Sequence, residues 1–470
     1  MYKNEKLEKF KEDIKGKRVA VVGFGVSNIP LVSYLLKLNA EITVFDKRTI
    51  DKLDKEKFEE YTLAGVNFSL GDEYLKKLVG FDYIFRSPSM RPDIPEVLQE
   101  INNGAILTSE IEMLIELCPS KVIGITGSDG KTTTTTLIYM ILKENGYNCF
   151  LGGNIGIPLF SRIDEMTPED IIVLELSSFQ LMTMKKCPQI SVVTNISPNH
   201  LDIHKDYDEY INAKKNIFLN QTENDLVILN YDNEITKSFE PEVKGRLRFF
   251  SSKNELQNGV IYSEEDSTIY ICENGDKREV IKDNEIKLIG VHNLENCCTA
   301  IAAIKDIVSV TSIRNVLTTF NGVEHRNELV RVVNGVTWRN DSIGSSPSRT
   351  IAGLKSFKEK VVLIAGGYDK HLDYTEMGEY VVTCCKALVL VGQTSQKIKE
   401  ATLKALAERN ISEEDFPIFE CSTLEEAINE AQGIANDGDT VFFSPASASF
   451  DMFKNFEERG KRFKEIVNKL

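Results

Sequence analysis

Short runs of consecutive apolar residues alternate along the chain with longer amphipathic stretches, joined by turns containing Gly, Asn and Ser. Arg18-Val-Ala-Val-Val22 opens the first series, followed by the turn Gly23-Phe-Gly25-Val-Ser-Asn28, a helical stretch over 29–38 and a second strand, Glu41-Ile-Thr-Val-Phe45. Lys121-Val-Ile-Gly-Ile125 opens a second series, and a third contains Lys360-Val-Val-Leu-Ile-Ala365 and Ala387-Leu-Val-Leu-Val391. Apolar runs of this length predict strands covered on both faces, and their alternation with helices predicts mostly parallel sheets. The expected class is α/β in three domains, 1–109, 110–322 and 323–470. At about 100–200 residues per domain, the 470 residues agree with that number. Residues 240–290 are charged and broken into short alternating stretches, Val260-Ile-Tyr262 and Thr268-Ile-Tyr-Ile271, which predict antiparallel hairpins added to the middle domain.

Composition narrows the classes. The 56 basic and 71 acidic residues give a net charge of −15, a poor match for nucleic acid. A local basic pocket for a phosphorylated ligand remains open. No apolar run approaches the ~20 residues of a membrane helix, and Met1-Tyr-Lys-Asn-Glu5 lacks the apolar core of a secretory signal. Nine scattered cysteines, with two adjacent pairs and no Cys-x-x-Cys, predict free thiols in a cytoplasmic protein. The expectation is therefore no membrane and no nucleic-acid partner.

The strongest chemical signal is Thr126-Gly-Ser-Asp-Gly130-Lys131-Thr132-Thr133, after a strand and before a helix predicted over 134–144. Such a loop turns backbone N–H groups and a helix N-terminus toward phosphates. Lys131 would reach the terminal phosphates, and the Thr132 hydroxyl would reach a magnesium ion. Ile125 occupies the place of the first glycine of the usual P-loop, so the loop is a shortened variant. Ile171-Ile-Val-Leu-Glu175 ends a strand in an acid able to hold that metal. His200 follows another strand. The five histidines, 200, 204, 292, 325 and 371, all fall in predicted loops or turns. Lys214 and Lys215 stand side by side on a predicted helix, and nothing in the sequence alone separates them. Gly23-Phe-Gly25-Val-Ser-Asn28, with Asp46 downstream, approaches a dinucleotide fingerprint whose third glycine is Asn28.

Together these patterns predict a Rossmann-like N-terminal domain, a central P-loop ATPase-like domain with a mostly parallel sheet, and a Rossmann-like C-terminal domain. Further residues make a family resemblance explicit. They are Gly152-Gly-Asn154-Ile-Gly156, Glu175-Leu-Ser-Ser-Phe-Gln180, Asn199-His200, Tyr210-Ile-Asn-Ala-Lys214, His292-Asn293 with Asn296, His325-Arg326, Asn340-Asp341-Ser342 and the tail from Ser444 through Ser449, Phe456 and Arg459. The chain resembles the Mur ligases of peptidoglycan synthesis through all three segments in order, most of all the branch that adds D-glutamate.

The resemblance implies an ATP-driven amide ligase. ATP converts the carboxylate of UDP-N-acetylmuramoyl-L-alanine to an acyl phosphate, and the D-glutamate amine displaces phosphate. It implies UDP contacts at Val26, Ser27, Asp46, Lys47 and Ser87. It implies ATP contacts at Ser128, Asp129, Gly130, Lys131, Thr132, Thr133, Thr134, Asn293, Asn296, Arg326 and Asp341. Asn154, Gln180 and His200 would meet the muramoyl-alanine end, and Ser345, Lys370, Ser449 and Phe456 would meet D-glutamate. One Mg²⁺ would rest on Thr132 and Glu175, a second on His200 and a carbamylated Lys214. Lys131, Glu175, His200 and Lys214 would be catalytic, in a monomer. Three departures stand out: Ile343 where the family often has lysine, Ser89 where it often has glycine, and Tyr368 inserted between Gly367 and Asp369. The alternatives are another ligase of the superfamily, such as a folylpolyglutamate synthase, or a P-loop regulatory NTPase.

Overall fold

The computed structural model describes residues 2–198, 204–288 and 290–470. Its first sheet holds β1 (Arg18–Val22), β2 (Glu41–Asp46), β3 (Asn67–Leu70), β4 (Tyr83–Arg86) and β5 (Ile106–Thr108), all parallel, in the order β3-β2-β1-β4-β5. Val19, Ala20, Val21 and Val22 are all buried, two on each face, as an unbroken apolar run requires. Strand order reverses between β1 and β4. The turn after β1 therefore opens at a switch point, where open α/β sheets take ligands.

The second sheet holds β6 (Lys121–Thr126), β7 (Cys149–Gly153), β8 (Ile171–Glu175), β9 (Ile190–Val193), β10 (Leu226–Asn230), β11 (Arg246–Ser251), β12 (Gly259–Ser263), β13 (Thr268–Glu273) and β14 (Asp276–Lys282). Their order is β14-β13-β12-β11-β10-β9-β6-β8-β7, and β6 lies between β8 and β9. The expected hairpins over 240–290 form in part. β12 to β14 are antiparallel, but β11 runs parallel to both β10 and β12. Period-two alternation reports which face is buried and carries no information on the neighbour's direction. The outermost strand, β14, begins with four exposed charged residues, Asp276-Lys-Arg-Glu279.

The third sheet holds β15 (Glu328–Val333), β16 (Val336–Asn340), β17 (Val361–Ala365), β18 (Cys385–Val391), β19 (Ile418–Cys421) and β20 (Thr440–Phe443), in the order β15-β16-β20-β17-β18-β19. Only the β15–β16 pair is antiparallel. The chain divides into two compact units. One comprises the residues up to 283 with 295–317, and the other comprises 284–294 with 318–470.

Within the first unit, the helix Glu110–Leu117 starts on a buried carboxylate, Glu110, which accepts the Leu159 and Phe160 amides at 3.2 and 2.8 Å. Burial pushes this carboxyl up to about 7, with the two amides pulling the other way. His292 falls in the first turn of the helix Val291–Ile304, so one of the five histidines leaves the loops the sequence assigned it. All nine cysteines carry free thiols. Among the described residues, no helix is long and apolar enough to cross a membrane.

Candidate active site

The chain leaves β6 through Gly127-Ser-Asp-Gly130 and enters the helix Lys131–Glu144, three residues earlier than the sequence predicts. Gly127 and Gly130 have φ of 147° and 77°, and a Cβ at Gly130 would lie 2.2 Å from Asn296 Oδ1. Only glycine permits that approach. The segment after β9 braces the loop. Asn195 accepts the Ser128 amide through its carbonyl (2.8 Å) and the Asp129 amide through its Oδ1 (2.9 Å). The Thr194 hydroxyl donates to the Asp129 carbonyl at 2.6 Å. Ser128 Oγ lies 2.8 Å from Tyr210 Oη, and Thr134 Oγ1 donates to Asn296 Oδ1 at 3.3 Å.

Two lysines converge on one oxygen of this loop. Lys131 Nζ donates to the Gly127 and Ser128 carbonyls, both at 2.9 Å. Lys214, from the helix Tyr207–Lys215, donates to the same Gly127 carbonyl at 2.7 Å. It lies 4.8 Å over the Tyr210 ring and is 2% exposed. Burial first, and the nearby Lys131 ammonium second, hold the Lys214 amine well below the ordinary lysine value, while Asp129 and Glu175 pull the other way. Its neighbour Lys215 instead pairs with Glu242 and lies over the Phe239 ring.

β8 places Glu175 beside the root of the loop, opposite Ile125 of β6. Its Oε1 accepts Asn154 Nδ2 at 2.8 Å, and its backbone carbonyl accepts the Asn154 amide at 2.8 Å. Its Oε2 is buried with no partner. A buried carboxylate oxygen left without a donor suits a cation, and the first turn of the helix after the loop carries the Thr132 hydroxyl, so the donor set fits a hard divalent ion. Gln180 is turned to local work: its Oε1 accepts the Ser177 amide and hydroxyl at 2.9 and 3.0 Å in a capping box. Asn199 and His200 lie outside the described residues, so half of the expected second metal site does too.

At the switch point of the first sheet, Asn28 takes the place of the missing third glycine. It is buried, and its amide nitrogen donates to the Val22 and Gly23 carbonyls at 3.0 and 2.9 Å, clamping the turn. Asp46 accepts the Phe24 and Arg48 amides at 2.7 and 2.8 Å and the Arg48 side chain through Nε and Nη2 at 2.9 and 2.7 Å. Burial opposes its charge, but Arg48 and these amides outweigh it and hold the carboxyl below its usual value. Ser87 closes on Gly23, where a Cβ would meet its side chain at 3.0 Å. Its hydroxyl lies 3.0 Å from that of Ser89. Val26 and Lys47 project into solvent, and Ser27 precedes the helix Asn28–Lys37.

The remaining expected residues belong to the second unit. Asp341, Ser449 and Lys370 follow the carboxyl ends of the adjacent strands β16, β20 and β17. Asp341 is buried, accepting the Ser444 hydroxyl at 2.7 Å and the Asn327 amide at 3.1 Å. Burial pushes its carboxyl up to about 6, with the Ser444 hydrogen bond and then the Arg326 charge opposing. Lys370 Nζ lies 5.6 Å from the Phe450 ring centroid, and the Phe456 ring stands edge-on to His325 at 6.2 Å. Ser345 is half-buried. Arg459 is buried and donates to the Ser342, Ser447 and Ala448 carbonyls at 2.8–3.0 Å, tying the two loops together. Asn293 falls in this unit and Asn296 in the other.

Three family profiles cover these regions in order: the Mur ligase MurD-like N-terminal domain over residues 17–109, the Mur ligase middle domain over 125–304, and the Mur ligase glutamate ligase domain over 325–447. The chain belongs to the Mur ligase family. It is 54% identical to the UDP-N-acetylmuramoylalanine–D-glutamate ligase of Ruminiclostridium cellulolyticum, over 99% of this chain and 100% of that one. The enzyme of the same name from Acetivibrio thermocellus is also 54% identical, over 99% of each. The Mur ligase fold is shared with the crystal structure of the MurF ligase of Thermotoga maritima in complex with ADP, at a TM-score of 0.54 and 17% identity, covering 98% of this chain and 97% of that one. This Mur ligase thus has the expected three-domain α/β architecture, Rossmann-like at both ends with a P-loop domain between.

Sequence reasoning passed over Arg48 and Asn195, and it noted Tyr210 and Asn28 without assigning them the contact to Ser128 and the clamp they make. Tyr210 carried a usable signal, because it precedes Lys214 by four positions and shares its helix face.

Proposed function

We propose that this Mur ligase joins D-glutamate to UDP-N-acetylmuramoyl-L-alanine, consuming ATP, in the cytoplasmic assembly of peptidoglycan precursors. The observation that carries the chemistry is the meeting of Lys131 and a buried Lys214 at the Gly127 carbonyl, beside the unpartnered oxygen of Glu175. The identity with D-glutamate-adding relatives over the whole chain supports the choice of substrates.

In this reading Ser128–Thr134 cradle the ATP phosphates, with Asn293, Asn296, Arg326 and Asp341 toward the nucleoside. Lys131 swings from its loop carbonyls to the transferred phosphoryl group. A carboxylate is a poor electrophile, so its oxygen first attacks that group and becomes an acyl phosphate. The amine of D-glutamate then adds to the acyl carbon and phosphate departs. Val26, Ser27, Asp46, Lys47 and Ser87 hold the UDP end, with Asn154, Gln180 and His200 at the muramoyl-alanine end. Ser345, Lys370, Ser449 and Phe456 hold D-glutamate.

Thr132 and Glu175 would hold one Mg²⁺, and His200 with a carbamylated Lys214 a second, neutralising charge that builds on phosphoryl and acyl oxygens. The low proton affinity of the Lys214 amine suits carbamylation, since only the neutral amine takes up CO₂. One chain supplies every proposed contact, so the enzyme is expected to act as a monomer. Its domains are drawn at 1–109, 110–322 and 323–470.

Isotope transfer tests the chemistry. With ¹⁸O in the substrate carboxylate, released phosphate carries the label. Unlabelled phosphate would eliminate the acyl phosphate and, with it, the ligase mechanism.

A further inference from the structure

The loop after β4 carries a side chain that reaches out of the first sheet's domain to the helix bearing Lys214. Arg91 Nη2 and Nη1 donate to Glu209 Oε1 and Oε2 at 2.8 and 3.1 Å. The same guanidinium donates through Nε and Nη2 to Asp93 at 2.9 and 3.1 Å. Asp93 in turn takes Lys205 Nζ at 2.6 Å, a second link to the segment entering that helix. Arg91 and Glu209 are half-buried, with side chains 27% and 24% exposed, so this two-point pair is better shielded than a surface bridge.

Glu209 also fixes the start of the helix. Its Oε2 accepts the Lys205 amide at 2.8 Å, and its own amide donates to Asp206 Oδ1 at 2.7 Å. The next residue is Tyr210, whose hydroxyl meets Ser128, and Lys214 lies one turn further on at the Gly127 carbonyl. The helix has nine residues, too short to hold its place by its own hydrogen bonding. Contacts at its first turn therefore set where its later side chains lie.

We propose that Arg91 is a positioning residue for the phosphate loop, acting through Glu209 and the helix that carries Tyr210 and Lys214. The role assigned to Arg91 runs through Glu209. It makes the first domain, rather than the central one alone, responsible for the geometry around Ser128 and Gly127. The inference rests on the ligase reading above for its kinetic arm and is independent of it in its binding arm.

The test compares Arg91→Ala, Arg91→Lys, Glu209→Gln and the Arg91→Ala/Glu209→Gln double variant. The glutamine keeps an acceptor for the Lys205 amide, so the helix start survives while the ion pair is lost. In steady state, Arg91→Ala and Glu209→Gln each lower kcat about tenfold and raise KM for ATP at least fivefold. KM for the UDP-linked substrate stays within threefold. The double variant is no worse than the poorer single, and Arg91→Lys retains at least a third of kcat. The Kd of the non-hydrolysable analogue AMP-PNP rises in parallel with KM for ATP, a readout that needs no ligation. An unchanged Kd and KM for ATP, a rise confined to the UDP-linked substrate, or multiplicative losses in the double variant would each overturn the proposal. Absence of ligation by the wild type would instead count against the proposed function, with the AMP-PNP comparison still deciding the role of Arg91.

Discussion

An ammonium buried against a carbonyl that already serves a second ammonium is poorly placed to keep its charge. Lys214 is in that position and Lys215 is not, which separates two residues that the sequence leaves equivalent. Replacing Lys214 with alanine should lower ligase turnover by more than a hundredfold, and Lys215→Ala should stay within threefold. Phosphate release with both substrates present measures each, and equal effects would remove the special role of Lys214. Its burial, on the helix face it shares with Tyr210 and Ala213, emerges only in the structure. The partner carbonyl was not legible, because it depends on how two elements 87 positions apart pack. Glu175 was found as a strand-end acid, but its unpaired oxygen is a fact of packing alone.

At the scale of elements, parallel strands and the phosphate loop were readable because apolar runs and glycine turns act locally. The direction of β11 was not, since it depends on a neighbour that the local pattern does not name. The capping box Ser177-x-x-Gln180 is itself a local pattern, but a family resemblance assigned Gln180 to substrate, and the Asn28 clamp takes a side-chain geometry that the turn's sequence does not state. The helix Glu110–Leu117 gives a test of burial at an element's start. Below about pH 4.5 Glu110 is protonated whether the chain is folded or not. As pH rises toward 7 the unfolded carboxyl ionises while the folded one holds its proton, so stability falls across that window and levels off above it. Taking the ordinary value of 4.5 and the buried value of about 7, the loss is on the order of 3 kcal/mol. Glu110→Gln keeps an acceptor for the Leu159 and Phe160 amides and escapes this loss. Its melting temperature should exceed the wild type's at pH 8 by a clearly larger margin than at pH 5.

For the whole molecule, the order of the three domains and their α/β class were legible from the chain, and the family profiles fall on the same succession. The division at 317/318, with 284–294 joining the later unit, was not, because that grouping is a property of packing and no composition shift marks it. A ligase built this way should release phosphate only when UDP-N-acetylmuramoyl-L-alanine and D-glutamate are both present. A coupled phosphate assay omitting each in turn checks this, and equal turnover on ATP alone would favour a regulatory NTPase.

The long central sheet ends in β14, whose Asp276-Lys-Arg-Glu279 row faces water. An outer strand with unpaired amides and carbonyls invites a stray chain to zip onto it. A foreign strand docking here would have to bring its own side chains alongside four charges of mixed sign, stripping water from them without a matched partner. That charged rim thus opposes strand-on-strand growth from this edge.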